Sequence, residues 1–196
     1  DIRKDALYCD AADSLRRRAA RTVLDALFAR LTTWMAPMLV FTMEDVWLNR
    51  YPDTQGSVHL EDFPATPKGW RDDALAAKWE RLRTVRRVVT GAIEVERQAK
   101  VVGSSLEAAP VVYIEDGQTR SDIEATDFAD ICITSSVVIS AEPAPDSAFT
   151  LPDVPGVAVV FGKAQGQKCL RCWKVLPDVG LYTHPGVCGR CDAALG

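Results

Sequence analysis

A chain of 196 residues with 47% hydrophobic and 26% charged residues has the composition of a folded protein with room for one or two domains. Its formal net charge of -4 excludes a protein that coats nucleic acid through overall positive charge, so any polyanion must be met by local clusters. No apolar run approaches the roughly 18 residues that a membrane helix needs, so no membrane partner is expected.

The N-terminal Asp1-Ile2-Arg3-Lys4-Asp5 carries neither an initiator Met nor a signal-peptide pattern and reads as the interior of a longer polypeptide. Leu15, Ala19, Val23, Leu24, Leu27, Phe28 and Leu31 recur at helical steps, which predicts an amphipathic helix from about Asp13 to Trp34. Pro37 suits a first helical turn and not a helix interior, so Ala36-Pro37 predicts a break and a second helix running to about Asn49. Tyr51 to Gly69 holds Pro52, Gly56, Pro64, Pro67 and Gly69 and is expected to be a loop. Leu75, Trp79, Leu82, Val85, Val89 and Ile93 predict a third helix, with Asp72-Asp73 at its positive end. That helix is expected to end near Val102, with Gly103 as the left-handed residue beyond it.

After Pro110 the pattern changes to short β-rich runs at Val111 to Ile114, Ile131 to Ser140 and Val157 to Phe161. One helix over Thr119 to Ala129 and a proline-rich loop over Glu142 to Gly156 complete this part. The expected fold class is α+β, with a mainly α-helical bundle at 1–105, a small mixed α/β segment at 106–160 and a zinc-binding knuckle or ribbon at 161–196.

Of six cysteines, Cys9 and Cys132 stand alone and read as small buried apolar residues. The other four form Cys169-Leu170-Arg171-Cys172 and Cys188-Gly189-Arg190-Cys191, at a spacing within the range of four-cysteine zinc sites. Two residues between cysteines let a tight turn aim both sulfurs at one ion, and Gly189 is expected to let amides approach the thiolates. Four thiolates fill a tetrahedron and leave no position for water, so one structural Zn2+ is expected. An iron-sulfur cluster uses the same donors and stays open on sequence alone. A redox dithiol needs a βαβ context that the paired motif lacks.

Positive charge gathers at Arg16-Arg17-Arg18 with Arg21, at Arg81, Arg83, Arg86 and Arg87, and at Lys163, Lys168, Arg171, Lys174 and Arg190. Each cluster reads either as a solvated face or as a phosphate contact. Trp173 likewise has two readings, a lid packed over the metal or a stacking surface for an RNA base flanked by Lys168, Arg171 and Lys174. His184 lies between the knuckles and reads as a loop residue.

Lys168-Cys169-Leu170-Arg171-Cys172-Trp173 with Cys188-Gly189-Arg190-Cys191 resembles the C-terminal zinc peptide of bacterial isoleucyl-tRNA synthetases. Upstream, in order, come further similar blocks: Asp1 to Cys9, Ala36-Pro37-Met38-Leu39 leading to Glu44-Asp45-Val46-Trp47, Ser57-Val58-His59-Leu60, and Gly103-Ser104-Ser105-Leu106-Glu107-Ala108. Family members usually carry Arg at the position of Ala6. The resemblance implies a helical anticodon-binding domain, a small mixed domain and the zinc module, together gripping the anticodon arm of isoleucine tRNA. It also implies catalytic and editing domains earlier in the same chain, where ATP and Mg2+ act. Their His-Ile-Gly-His and Lys-Met-Ser-Lys-Ser motifs are not in this sequence, so no catalytic residue is expected here. RNA contact is expected from Lys168, Arg171, Trp173, Arg190, Arg16, Arg17 and Arg21, in a monomeric cytoplasmic protein. The competing readings are a zinc module that only braces a multidomain protein and a stand-alone zinc-ribbon regulator.

Overall fold

The computed structural model describes residues 2–52 and 56–196, so Asp1 and residues 53–55 of the expected loop lie outside the described residues. The chain forms two compact units, Ala12–Arg71 and the N-terminal stretch through Ala11 together with Asp72–Gly196.

The first unit is built on α2 (Leu15–Met35) and α3 (Val40–Arg50), which follow the short α1 (Lys4–Cys9) of the other unit. Ser14 starts α2 because its hydroxyl accepts from the Arg17 N–H at 3.1 Å, satisfying one of the unpaired amides of the first turn. The break falls at Pro37, as expected, and α3 resumes at Val40. Glu44 of α3 pins the connecting loop by accepting from the Ser57 hydroxyl at 2.8 Å and the Val58 N–H at 3.0 Å. That loop is not wholly irregular, since Val58–Leu60 and Lys68–Trp70 are single 3-10 turns. Arg30 lies 4.4 Å from the Trp70 ring centroid and donates to the Ala65 carbonyl at 2.8 Å, fixing the loop's far end to α2. Phe28 and Trp47 stack at 6.2 Å between the two helices.

In the second unit α4 (Asp73–Gln98) packs on a four-stranded mixed sheet ordered β2-β1-β4-β3. The strands are β1 (Val111–Ile114), β2 (Val138–Ser140), β3 (Phe149–Thr150) and β4 (Val157–Val160). The stripe Leu82, Val85, Val88, Val89, Ala92 and Ile93 forms one core with Val112, Ile114, Val157 and Val159. Thus α4, grouped by sequence with the helices before it, buries its apolar face on the sheet. Gly91 lets this happen: a Cβ there would lie 2.9 Å from Cε1 of Phe149 on β3.

Three expectations need correction. Helix α4 ends at Gln98, and the left-handed residue is Lys100, φ 60°, not Gly103. Val101 N–H bonds to Glu96 O at 2.9 Å and Lys100 N–H to Arg97 O at 3.1 Å, the paired bonds of a Schellman cap closing without glycine. The single helix expected over Thr119 to Ala129 is two, α5 (Gly117–Glu124) and α6 (Phe128–Cys132), because the Asp127 carboxylate accepts from the Asp130 N–H and starts a new turn. The strand expected from Ile131 is therefore shorter: Ile131 and Cys132 finish α6, Ile133 turns the chain at φ 59°, and only Val138–Ser140 pairs with β1. A short apolar run looks alike in a buried helix end and a strand, and here tertiary burial decided.

Asp122 of α5 ties that helix to α4, accepting from Arg81 Nε at 2.7 Å and Nη2 at 2.5 Å and from Gln118 Nε2 at 3.2 Å. The Arg81 hydrogen bond holds the Asp122 carboxyl below its ordinary range. A carboxyl depressed in the folded state stabilises above the unfolded pKa and loses that effect as pH falls through the folded one. Asp122→Asn is therefore expected to lower the thermal midpoint at neutral pH, with the gap to the parent closing under strongly acid conditions. A gap that stays constant with pH would show that the ion pair contributes nothing.

Candidate metal centre

The C-terminal module begins with β5 (Gln167–Lys168) and β6 (Val175–Leu176), an antiparallel pair whose turn carries the first cysteine pair. Cys169 N–H donates to the Lys174 carbonyl at 2.8 Å and Trp173 N–H to the Cys169 carbonyl at 3.0 Å, so the turn closes on itself. Trp173 sits at φ 66°, a left-handed conformation uncommon for a bulky residue, and the closed turn holds it there. The second pair opens α7 (Gly189–Ala193), where Asp192 N–H donates to the Cys188 carbonyl at 2.9 Å.

These two turns bring the sulfurs of Cys169, Cys172, Cys188 and Cys191 within 4.8 Å of one another, and all four residues are buried. Cys172 and Cys188 sulfurs lie 3.8 Å apart, and the Cys188 N–H points at Cys169 Sγ from 3.4 Å. Ahead of metal binding, burial pushes Cys191 up to about 11 and Cys172 higher. At Cys169 the burial penalty is outweighed by amide donors of Cys172, Cys188 and Arg171, which hold the thiol down at about 6. Four converging sulfurs with an amide donor already in place fit a closed tetrahedral site, and the cluster holds one structural zinc.

Gly189 serves differently from expectation. Its N–H donates to Asp178 Oδ2 at 2.9 Å and not to a thiolate. A Cβ there would lie 2.6 Å from Tyr182 Cζ, so the missing side chain admits the tyrosine ring. His184 is a loop anchor, with Nδ1 2.8 Å from Asp192 Oδ1 and its N–H 2.7 Å from the same oxygen. The hydrogen bonds from His184 lower the Asp192 carboxyl below its ordinary range.

The expected RNA contacts do not all face outward. Lys168 is exposed, its Nζ 5.8 Å from the ring centroid of Trp173, and Trp173 is 61% exposed, too open for a lid packed over the metal. Arg171 donates to the Cys9 carbonyl, and Arg190 forms a forked ion pair with Asp5, with Nη2 2.7 Å from Oδ1, and reaches Asp10 Oδ1 at 3.4 Å. Lys174 Nζ lies 2.6 Å from Asp130 Oδ1, a pair with side chains 13% and 7% exposed. Arg16, Arg17 and Arg21 all stand on α2 of the other unit, where Arg21 is exposed and lines a cleft with Arg18, Asp25, Phe28 and Arg50.

Sequence reading missed Asp5, Asp10, Asp130 and Asp178 as partners of the module. Each acid looks like any surface carboxylate in the linear chain, and Asp5 stands 185 positions from Arg190. Cys9 and Cys132 are buried, as expected, and burial pushes Cys132 up to about 12 and Cys9 to about 11. Cys9 also packs within the cysteine cluster, its sulfur 3.5 Å from the Arg171 carbonyl oxygen. Ala6 is fully enclosed at 1% exposure.

A family model for the anticodon-binding domain of tRNA ligases matches residues 1–113. A second, a zinc finger found in FPG and IleRS, matches residues 166–194. The isoleucine–tRNA ligase of Ruegeria pomeroyi is 63% identical over 196 residues, covering 100% of this chain and 20% of that protein. Isoleucine–tRNA ligases of Brucella abortus and Agrobacterium fabrum are 58% and 53% identical over the same span and the same shares. The chain thus spans 20% of the length of the curated relatives it matches.

Proposed function

Since the chain belongs to the family of anticodon-binding domains of tRNA ligases, we propose that it grips the anticodon arm of isoleucine tRNA as the C-terminal part of an isoleucine–tRNA ligase. A catalytic domain elsewhere in that polypeptide charges the tRNA with isoleucine, using ATP and Mg2+, and a separate editing domain hydrolyses mischarged valine. Residues 1–105 supply the helical surface, 106–160 the junction and 161–196 the zinc module, in a monomeric cytoplasmic enzyme. No described helix is long and apolar enough to cross a membrane, in keeping with this reading.

The exposed pair Lys168 and Trp173 carries the reading at the level of residues. An indole face open to solvent beside an ammonium offers stacking to an unpaired base and charge to its phosphate. Arg16, Arg17 and Arg21 add phosphate contacts from α2. Arg171 and Arg190 serve the same surface from behind, since their guanidinium groups are engaged by the Cys9 carbonyl and by Asp5 and Asp10.

Titration of isoleucine tRNA onto the zinc-loaded protein tests this. Neutralising about four phosphates makes affinity fall roughly fiftyfold between about 50 and 200 mM salt. Replacing Trp173 by Ala removes a stack worth about 1–3 kcal/mol, so binding should weaken roughly five- to 150-fold with zinc content unchanged. Salt-independent binding, or an unaltered Kd in the Trp173→Ala protein, would defeat the assignment.

A further inference from the structure

Two arginines occupy equivalent places in the metal module. Arg171 lies between Cys169 and Cys172, and Arg190 between Cys188 and Cys191. Each backbone position is thus fenced by two zinc ligands, and both side chains turn to the same target, the opening helix α1 (Lys4–Cys9). The Arg171 guanidinium donates to the Cys9 carbonyl while the Cys9 thiol reaches the Arg171 carbonyl at 3.5 Å, a reciprocal pair. Arg190 grips Asp5 with both terminal nitrogens and adds Asp10 at 3.4 Å, just past the end of α1.

Helix α1 has little to hold it by itself. It is 6 residues long, no side chain caps its N-terminus, and it buries Ala6 and Cys9. Isolated helices shorter than about 12 residues are marginal in water because the first turn fixes many dihedrals for few hydrogen bonds. We infer that the zinc module is a metal-dependent clasp, in which the two folded cysteine turns aim Arg171 and Arg190 at α1 and thereby fix that helix at the other end of the chain. The forked pairing matters, because two parallel N–H···O bonds set the helix's direction as well as its distance. The same clasp shapes the recognition surface, since Asp5, Tyr8, Cys9, Arg171 and Trp173 line one cleft. Release of α1 takes away one wall of that cleft.

Hydrogen exchange of the intact protein, read on peptides covering α1 and α7, provides the test. In the zinc-loaded protein α1 amides should be protected, and removing zinc with a chelator should speed their exchange by about tenfold or more. Arg190→Ala should do the same to α1 while keeping one zinc per chain and leaving α7 protected. The exchanged pair Asp5→Arg with Arg190→Asp, which restores one ion pair in reverse, should return part of the protection. Unchanged α1 protection after chelation would overturn the inference. So would an Arg190→Ala protein that loses zinc while α1 stays protected, since Arg190 would then serve the metal site and not the helix.

Discussion

Removing zinc at neutral pH should unfold residues 166–194 and leave the sheet core on α4 folded. The module's own core consists of Cys9, the four ligand cysteines, Val179 and Val187, with Leu176 packed against them. Five of these seven buried residues are cysteines, so little aliphatic surface is left to drive folding once the metal no longer ties the sulfurs together. Secondary structure offers little more, with strands of 2 residues each and a helix of 5. Metal binding to such modules is worth on the order of 10–16 kcal/mol near neutral pH, more than the whole stability of many domains. The sheet unit differs, since Leu82, Val85, Val88, Val89, Val112, Ile114 and Val159 are all enclosed without any metal. Hydrogen exchange before and after chelation should show unfolded-state rates at 166–194 beside retained protection in β1 and β4. Protection that persists at 166–194 in metal-free protein would show that the module folds by packing alone.

What the sequence revealed and what it hid follow the same division between local and distant causes. The four-cysteine cluster was legible because each Cys-x-x-Cys is a local turn, and chemistry within four residues is written in the order of those residues. The α4 stripe was legible for the same reason, its period being a property of one helix. Its destination was not, because burial against Val112 and Val159 depends on strands that follow later in the chain. Ile131 and Cys132 misled since apolar residues of a buried helix end and of a core strand carry the same signal. Lys100 took the turn expected at Gly103 because two amide bonds across the helix end offset the cost of a left-handed non-glycine residue. Among the cations, composition alone gave Arg171, Arg190 and Lys168 the same standing. Only the fold places Asp5 against Arg190 and leaves Lys168 beside the open face of Trp173.

Gly166→Ala should weaken zinc binding more than any other single glycine replacement in the module, roughly ten- to hundredfold. Gly166 precedes β5 at φ +115°, and a Cβ there would stand 2.2 Å from the Leu176 carbonyl oxygen, 2.3 Å from its carbon and 2.6 Å from Pro177 N. All three atoms are backbone, so no side chain can rotate away. Strain at such a φ costs about 1–3 kcal/mol for an L-residue before any overlap is counted. The relief available is to separate Gln167 from Leu176 and Lys168 from Val175, the two pairs that frame the Cys169–Cys172 turn. Opening that frame moves two of the four sulfurs away from the other two, so the strain falls on the metal-bound state and weakens the Kd by about tenfold per 1.4 kcal/mol. Gly180 supplies the control, because it has a similar left-handed φ of +83° and nothing within 4 Å of its Cβ position. Gly180→Ala should therefore cost the backbone strain without prying apart β5 and β6, and its zinc affinity should lie between those of the parent and Gly166→Ala. Competition against a chelator of known affinity measures all three. Equal affinities for Gly166→Ala and Gly180→Ala would mean that the close approach of Leu176 does not hold the metal turn in place.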